Sequence, residues 1–156
     1  MSDLVVDREG NLLLTGSFKD SLFIDERNIL FSEEQSFFLA KLDQEGNLLC
    51  VQQANVIEGN AQSIAIGISA ENEVLLTGNF IGRLQIEEET VETNTEDDNV
   101  FLASFSEEGN FLWLRAAGGV FPDEVVDIQC IDNQTYLTGY FFGRLQMSDN
   151  ITIESI

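Results

Sequence analysis

Leu14-Thr15-Gly16-Ser17-Phe18 returns as Leu76-Thr77-Gly78-Asn79-Phe80 and again as Leu137-Thr138-Gly139-Tyr140-Phe141, at intervals of 62 and 61 residues. A second register agrees: Phe38-Leu39-Ala40-Lys41-Leu42-Asp43-Gln44-Glu45-Gly46-Asn47 recurs 63 residues later as Phe101-Leu102-Ala103-Ser104-Phe105-Ser106-Glu107-Glu108-Gly109-Asn110. A third element, Phe80-Ile81-Gly82-Arg83-Leu84-Gln85, returns as Phe141-Phe142-Gly143-Arg144-Leu145-Gln146. Self-similarity at a fixed period marks a repeat architecture. The chain divides into one unit at 1–61, a second at 62–123 and half of a third at 124–156, together one incomplete domain.

Within a unit, short apolar runs alternate with turn chemistry, which is the pattern of strands. Four main strands are expected per unit: 4–7, 11–17, 37–42 and 47–53 in the first, and 64–68, 74–79, 100–105 and 110–115 in the second. In Asp7-Arg8-Glu9-Gly10-Asn11 the glycine falls where a hairpin needs positive φ, and the aligned positions hold Asn72 and Asn133, the non-glycine type that best tolerates it. Runs such as Phe37-Phe38-Leu39-Ala40 and Phe111-Leu112-Trp113-Leu114 are apolar on both strand faces, so the sheets are expected to be covered on both sides. Four-stranded units repeating in tandem predict an all-β fold of β-propeller blades with antiparallel strands, about two and a half of them here. A β-solenoid is disfavoured, because its coils run to about 20–30 residues and each of these units holds two hairpins.

On these residues the chain resembles the bacterial β-propeller repeat family abbreviated SBBP. The family pattern runs through an Asp-x-x-Gly-Asn turn, a Tyr-or-Leu-x-Thr-Gly-x-Phe strand, a Phe-Val-Ala-Lys-Leu-Asp strand and a Trp-containing strand. Asp7 to Asn11, Leu14 to Phe18, Phe38 to Asp43 and Leu112-Trp113 match it. Cys50 stands where the second unit has Trp113, Ser104 replaces Lys41, and the second unit's first turn reads Ser69-Ala70-Glu71-Asn72-Glu73. The resemblance implies a bacterial surface or extracellular scaffold and brings no catalytic residues with it.

Rings of blades close at about 4–8 units. Two and a half units leave blade faces open, so the chain is expected to be part of a longer propeller or to associate head to tail into a homo-oligomer through heterologous contacts. The chain opens Met1-Ser2-Asp3-Leu4-Val5-Val6-Asp7-Arg8, with no basic and apolar export signal and no apolar run long enough to cross a membrane.

Composition narrows the function. The 156 residues carry 28 acidic and 7 basic side chains, a formal charge of −21, no His and two Cys. That charge repels phosphate, which argues against nucleic acid and anionic membrane as partners. Without His there is no Ser-His-Asp or Cys-His pair, no His-ligated zinc and no histidine proton relay. Carboxylate chemistry, hard-cation binding and non-catalytic recognition of a protein or glycan survive. Cys50 and Cys130 have no CxxC spacing and are expected to be unpaired, buried thiols, although spacing alone does not decide a disulfide.

Several residue groups are candidates for a site. Glu87, Glu88, Glu89, Glu92, Glu96, Asp97 and Asp98 fall in a cation-free segment, read as a loop over 87–99 and aligned with 25–36. Their oxygens suit Ca²⁺, yet no DxDxDG spacing pins them, and a solvated, self-repelling loop explains them as well. Arg83 and Arg144 occupy equivalent positions and would grip an anionic ligand such as a carboxylate-bearing glycan, or else pair with the abundant acids. The Asp-x-x-Gly-Asn turns are read as hairpins, and the Thr-Gly pairs as points of close backbone approach or a bulge. Asn133-Gln134-Thr135 and Asn150-Ile151-Thr152 match the glycosylation sequon. No single Asp/Glu pair stands out among 28 carboxylates. The expectation is therefore a non-catalytic scaffold presenting acidic loops, the alternatives being a Ca²⁺-stabilised carbohydrate-binding module or a carboxylate-dependent glycosidase or lyase.

Overall fold

The computed structural model describes residues 1–24, 29–93, 96–132, 134–148 and 151–154, which form thirteen strands and no helix. The first sheet is an antiparallel meander of β1 (Asp3–Val6), β2 (Leu12–Phe23), β3 (Ile29–Leu42) and β4 (Leu48–Gln53), in that order. The second repeats it with β5 (Asn55–Ile68), β6 (Val74–Ile86), β8 (Asn99–Phe105) and β9 (Phe111–Ala117), and a short β7 (Glu89–Glu92) pairs with the far end of β6. Then come two hairpins, β10 (Asp123–Ile131) with β11 (Gln134–Phe141), and β12 (Arg144–Ser148) with β13 (Ile151–Glu154). The eight expected strands are all present and antiparallel.

Several strands outrun their expected ends. The β2–β3 ladder continues to Phe23 opposite Ile29, so much of the stretch read as a loop over 25–36 is strand. Leu22, Ile24 and Leu30 explain this, because they extend an apolar face over Phe18, Phe38 and Ala40. Likewise Glu89–Glu92 is a strand within the acidic segment: alternation turns Val91 inward onto the core and leaves Thr90 and Glu92 in solvent. The charge-rich stretch forms a strand because Glu92 stays in solvent and Glu89, on the face of Val91, accepts from the Leu114 amide. Between the halves of the long strands lies a left-handed corner, repeated at Asp20 (φ 63°), Gly82 (φ 82°) and Gly143 (φ 68°). Asp20 is one of the few residue types that hold this conformation without being glycine.

Each unit lays its first strand on the sheet before it: β5 packs on β1, β2 and β3, and β10 packs on β5, β6 and β8. The main core lies between the two meanders, where Leu13, Phe37 and Leu39 meet Ile66, Leu76, Phe80 and Phe101. Phe37 and Phe101 stack there with centroids 4.7 Å apart. A smaller core of Ala65, Leu75 and Ile128 joins the second sheet to β10. The cluster of Phe18, Phe38 and Ala40 occupies the opposite face of the first sheet, flanked by half-buried Leu14, Leu48 and Val51.

Candidate functional site

The repeated Leu-Thr-Gly-x-Phe strand is a clamp for a phenylalanine on the next strand. In the first sheet Gly16 lies opposite Phe38, and in the second Gly78 lies opposite Phe101. The Thr15 hydroxyl donates to the Phe38 carbonyl at 2.7 Å, and the Thr77 hydroxyl donates to the Phe101 carbonyl at 2.7 Å. A Cβ on Gly16 or Gly78 would fall 3.0 or 2.8 Å from the Phe38 or Phe101 ring. The motif's own phenylalanine meets the held ring edge-on, Phe18 on Phe38 at 6.3 Å and Phe80 on Phe101 at 6.4 Å. Gly78 also lets the preceding strand close in, since its Cβ would stand 2.0 Å from the Gln62 carbonyl oxygen; a register shift at Ser63/Ala65 lies beside it. Gly139 repeats this against the Glu124 carbonyl, beside a shift at Val125/Asp127. Both close approach and bulge are therefore found at these glycines.

The variable position of the motif ties one unit to the next. The Ser17 hydroxyl accepts from the Ser63 amide at 3.2 Å. One unit on, the Asn79 side chain donates to the Asp123 carbonyl at 2.7 Å and accepts from the Val125 amide at 3.4 Å. Sequence reasoning passed over Ser17 and Asn79 because the motif was read for its constant letters. The available signal was a hydrogen-bonding residue at the one position that varies.

A second set of staples runs along one end of the strands. Lys41, itself buried, places Nζ 2.9 Å from Asp7 Oδ2 and donates to the Glu107 carbonyl of the second unit at 2.8 Å. Burial by itself raises the Asp7 pKa, but hydrogen bonds from Lys41 and Asn11 outweigh it and hold the carboxyl at about 2. In the second unit serine stands at both positions, Ser69 for Asp7 and Ser104 for Lys41, and Ser104 donates instead to Glu73 at 3.3 Å. The turns behave as hairpins: Asp7 Oδ1 accepts from the Glu9 and Asn11 amides and Asp43 Oδ1 from the Glu45 and Asn47 amides. Ser69 takes the same role toward Glu71 and Glu73, with Asn72 at φ 64°. Carboxylates used this way close a turn rather than gather round an ion. The three first turns meet around a cleft of about 390 Å³, lined by Asp7, Arg8, Ser69, Ala70, Cys130 and Asp132. Arg8 reaches across it to the Ala70 carbonyl at 3.0 Å.

The acidic candidates are spread out. Glu87 and Glu88 form the β6–β7 turn. Glu89 accepts from the Leu114 amide at 2.8 Å and faces Arg115 at 4.0 Å, while Glu92 faces Arg83 at 3.9 Å. Glu96, Asp97 and Asp98 lead into β8. Among the described residues no three carboxylates or thiols stand close enough to hold a metal ion. Arg83 lies on β6 and Arg144 opens β12, both exposed. Asp123, missed in the sequence, is 1 % exposed, and neither carboxylate oxygen has a hydrogen-bond partner. Burial pushes its pKa up, the Gly119 and Phe142 amides pull it back from outside hydrogen-bonding geometry, and Asp97 adds repulsion. Asp98 is raised by burial and by Glu124 and Asp97.

Cys50 and Cys130 are free and half-buried, with burial pushing both thiols up. Asn133, Asn150 and the stretches 25–28 and 94–95 lie outside the described residues. No described helix is long and apolar enough to cross a membrane. Compared with known families, the chain matches no family model. No curated protein matches it either.

Proposed function

We propose that the chain is a non-catalytic scaffold and recognition module, built of β-propeller blades of the SBBP kind, whose blade faces and acidic loops engage a protein or glycan. One observation carries this reading: the same stacking step is made twice, β5 on the first sheet and β10 on the second, with the same polar staple at each step. Among the described residues the step leaves two unlike faces uncovered. At one end the face bearing Phe18, Phe38 and Ala40 has half-buried Leu14, Leu22 and Leu30 around it. At the other, Tyr136, Tyr140 and Phe142 are exposed on and just after β11. Unlike ends of this kind suit heterologous, head-to-tail association.

Light scattering after size exclusion, over a concentration series, tests the reading. The expected result is a mass above 17.4 kDa that falls toward that value on dilution. A mass of 17.4 kDa at every concentration, with no binding of an apolar dye, overturns it.

A further inference from the structure

Past each left-handed corner the chain forms a short hairpin, and the three hairpins align residue by residue from Asp20, Gly82 and Gly143. In the first, Ser21, Leu22 and Phe23 pair with Phe31, Leu30 and Ile29. In the second, Arg83, Leu84 and Gln85 pair with Glu92, Val91 and Thr90. In the third, Arg144, Leu145 and Gln146 pair with Glu154, Ile153 and Thr152. The middle pair is apolar every time, and in the first two units it packs inward on the cores already described. The outer two pairs share the opposite face, because alternate residues of a strand point the same way. On that face the second and third units hold the same four residue types, Arg with Glu and Gln with Thr, and Arg83 meets Glu92 at 3.9 Å. The first unit holds Ser21, Phe23, Ile29 and Phe31 instead.

Phe23, Ile29 and Phe31 are 69 %, 54 % and 58 % exposed. Neighbouring units do not cover this face. The second unit has the first packed against one side and the third against the other, yet its Arg83, Thr90 and Glu92 stay exposed and Gln85 half-buried. The exposure of the three apolar side chains therefore comes from the geometry of the hairpin and not from the two ends of the chain. Large side chains on a wet face add nothing to the core, and a contiguous group of them marks a contact surface.

Area and charge say what it takes. The three side chains expose on the order of 300 Å², short of the roughly 800 Å² per partner of a stable dimer, and two copies at −21 each repel, so a second copy is a poor occupant. A glycan needs hydrogen-bonding groups to fix its hydroxyls, and Ser21 is the one polar side chain of the four. Beside the face stand exposed Asp20 and Glu33, with Glu34 offset by Lys19 at 3.5 Å. An apolar centre with an acidic border is complementary to an apolar centre with a basic one. We propose that the face of Ser21, Phe23, Ile29 and Phe31 docks a short segment of a partner protein, with aromatic or aliphatic side chains at its centre and Lys or Arg at its flanks. The proposal deepens the scaffold reading, on which it rests for a binding role, and names one surface and its partner.

The probe is a displayed library of random peptides, selected on the full chain at about 0.15 M salt and counter-selected on the variant Phe23→Gln, Ile29→Thr, Phe31→Glu. That variant copies the second unit's residues onto the same hairpin, so its strands should form as they do there. Circular dichroism checks this, and Phe23→Gln alone takes its place if the strands are lost. The enriched peptides are expected to carry aromatic or aliphatic side chains between Lys or Arg. Remade with a fluorescent label, the most enriched should bind the variant about tenfold more weakly, and should lose affinity several-fold between about 0.15 and 0.5 M salt. No enrichment over the variant, or enrichment of peptides lacking either feature, overturns the proposal. So does a fall in the chain's mass on light scattering in the variant, which assigns the face to a second copy, or binding of cellohexaose that the variant loses, which assigns it to a glycan. The two readings fail separately: a chain that self-associates but selects no peptide refutes the docking face alone, and one that selects the peptides while staying at 17.4 kDa refutes head-to-tail association alone.

Discussion

Replacing Lys41 with Met removes the cation of a buried ion pair while keeping the length of the apolar stem. The pair is tight, 2.9 Å with side chains 7 % and 6 % exposed, and the same ammonium bridges to the Glu107 carbonyl of the next unit. Stranding a buried partner completely costs about 3–5 kcal/mol. Asp7 is not stranded, because Asn11 and Glu9 still donate to it. The fall of the Asp7 pKa from 3.8 to about 2 is shared between Lys41 and Asn11, so the Lys41 part corresponds to about 1 kcal/mol once solvent screening at this rim is allowed for. The lost hydrogen bond to Glu107 adds about 1 kcal/mol, so the variant should be about 2 kcal/mol less stable at pH 7. A depressed carboxylate stabilises the fold above its unfolded pKa, and that contribution is lost as pH falls through its folded pKa. The penalty should therefore hold down to about pH 4 and shrink toward pH 2. Urea unfolding followed by circular dichroism across that range, with a carboxyl NMR titration of Asp7, measures both quantities. Lys41→Ser, which copies Ser104, serves as the second variant. A loss under about 0.5 kcal/mol at pH 7, or one that ignores pH, would refute the reasoning, since either outcome removes the buried pair from the stability of the fold.

Thr77→Val deletes a buried hydroxyl from an occupied clamp and should cost about 1 kcal/mol, or about 3 °C in Tm for a chain of this length, read by thermal melting. Asn79→Ala unties the third unit from the second: amide exchange should accelerate in β10 and β11 before it does in β6 and β8, and uniform acceleration would count against the staple. Asp123→Asn should stabilise the protein by about 1 kcal/mol at neutral pH, because burial costs the charged carboxylate more than the Gly119 and Phe142 amides return. A carboxyl with a raised folded pKa costs stability once pH exceeds its unfolded value, so the gain should vanish below about pH 3, and melting curves at pH 7 and 3 check the sign.

The strands were legible because period-two patterning and turn residues act locally, and the repeated copies of each signal reinforced one another. Their lengths were less so. The extension of β2 and β3 depends on Leu22, Ile24 and Leu30 covering a face, and β7 depends on Val91 finding the core; neither partner lies nearby in sequence. Thr15, Gly16 and Phe18 were visible as a motif, but a hydroxyl 2.7 Å from a carbonyl 23 residues away belongs to strand pairing and not to composition. Asp7 and Asp43 were correctly taken as turn residues, since a side chain bonding its own backbone two to four residues on is a local event.

By itself the sequence determined an all-β chain of repeated antiparallel units, poor in cations and without histidine chemistry, because propensity, alternation and ionisation travel with each residue. Tertiary structure alone decided that Lys41 is buried on Asp7, that Asp123 is buried, and that Ser17 and Asn79 tie one unit to the next. Each of those depends on which strand lies alongside. The Leu-Thr-Gly stretch is local sequence, but Thr15 and Thr77 are buried because β3 and β8 lie alongside them.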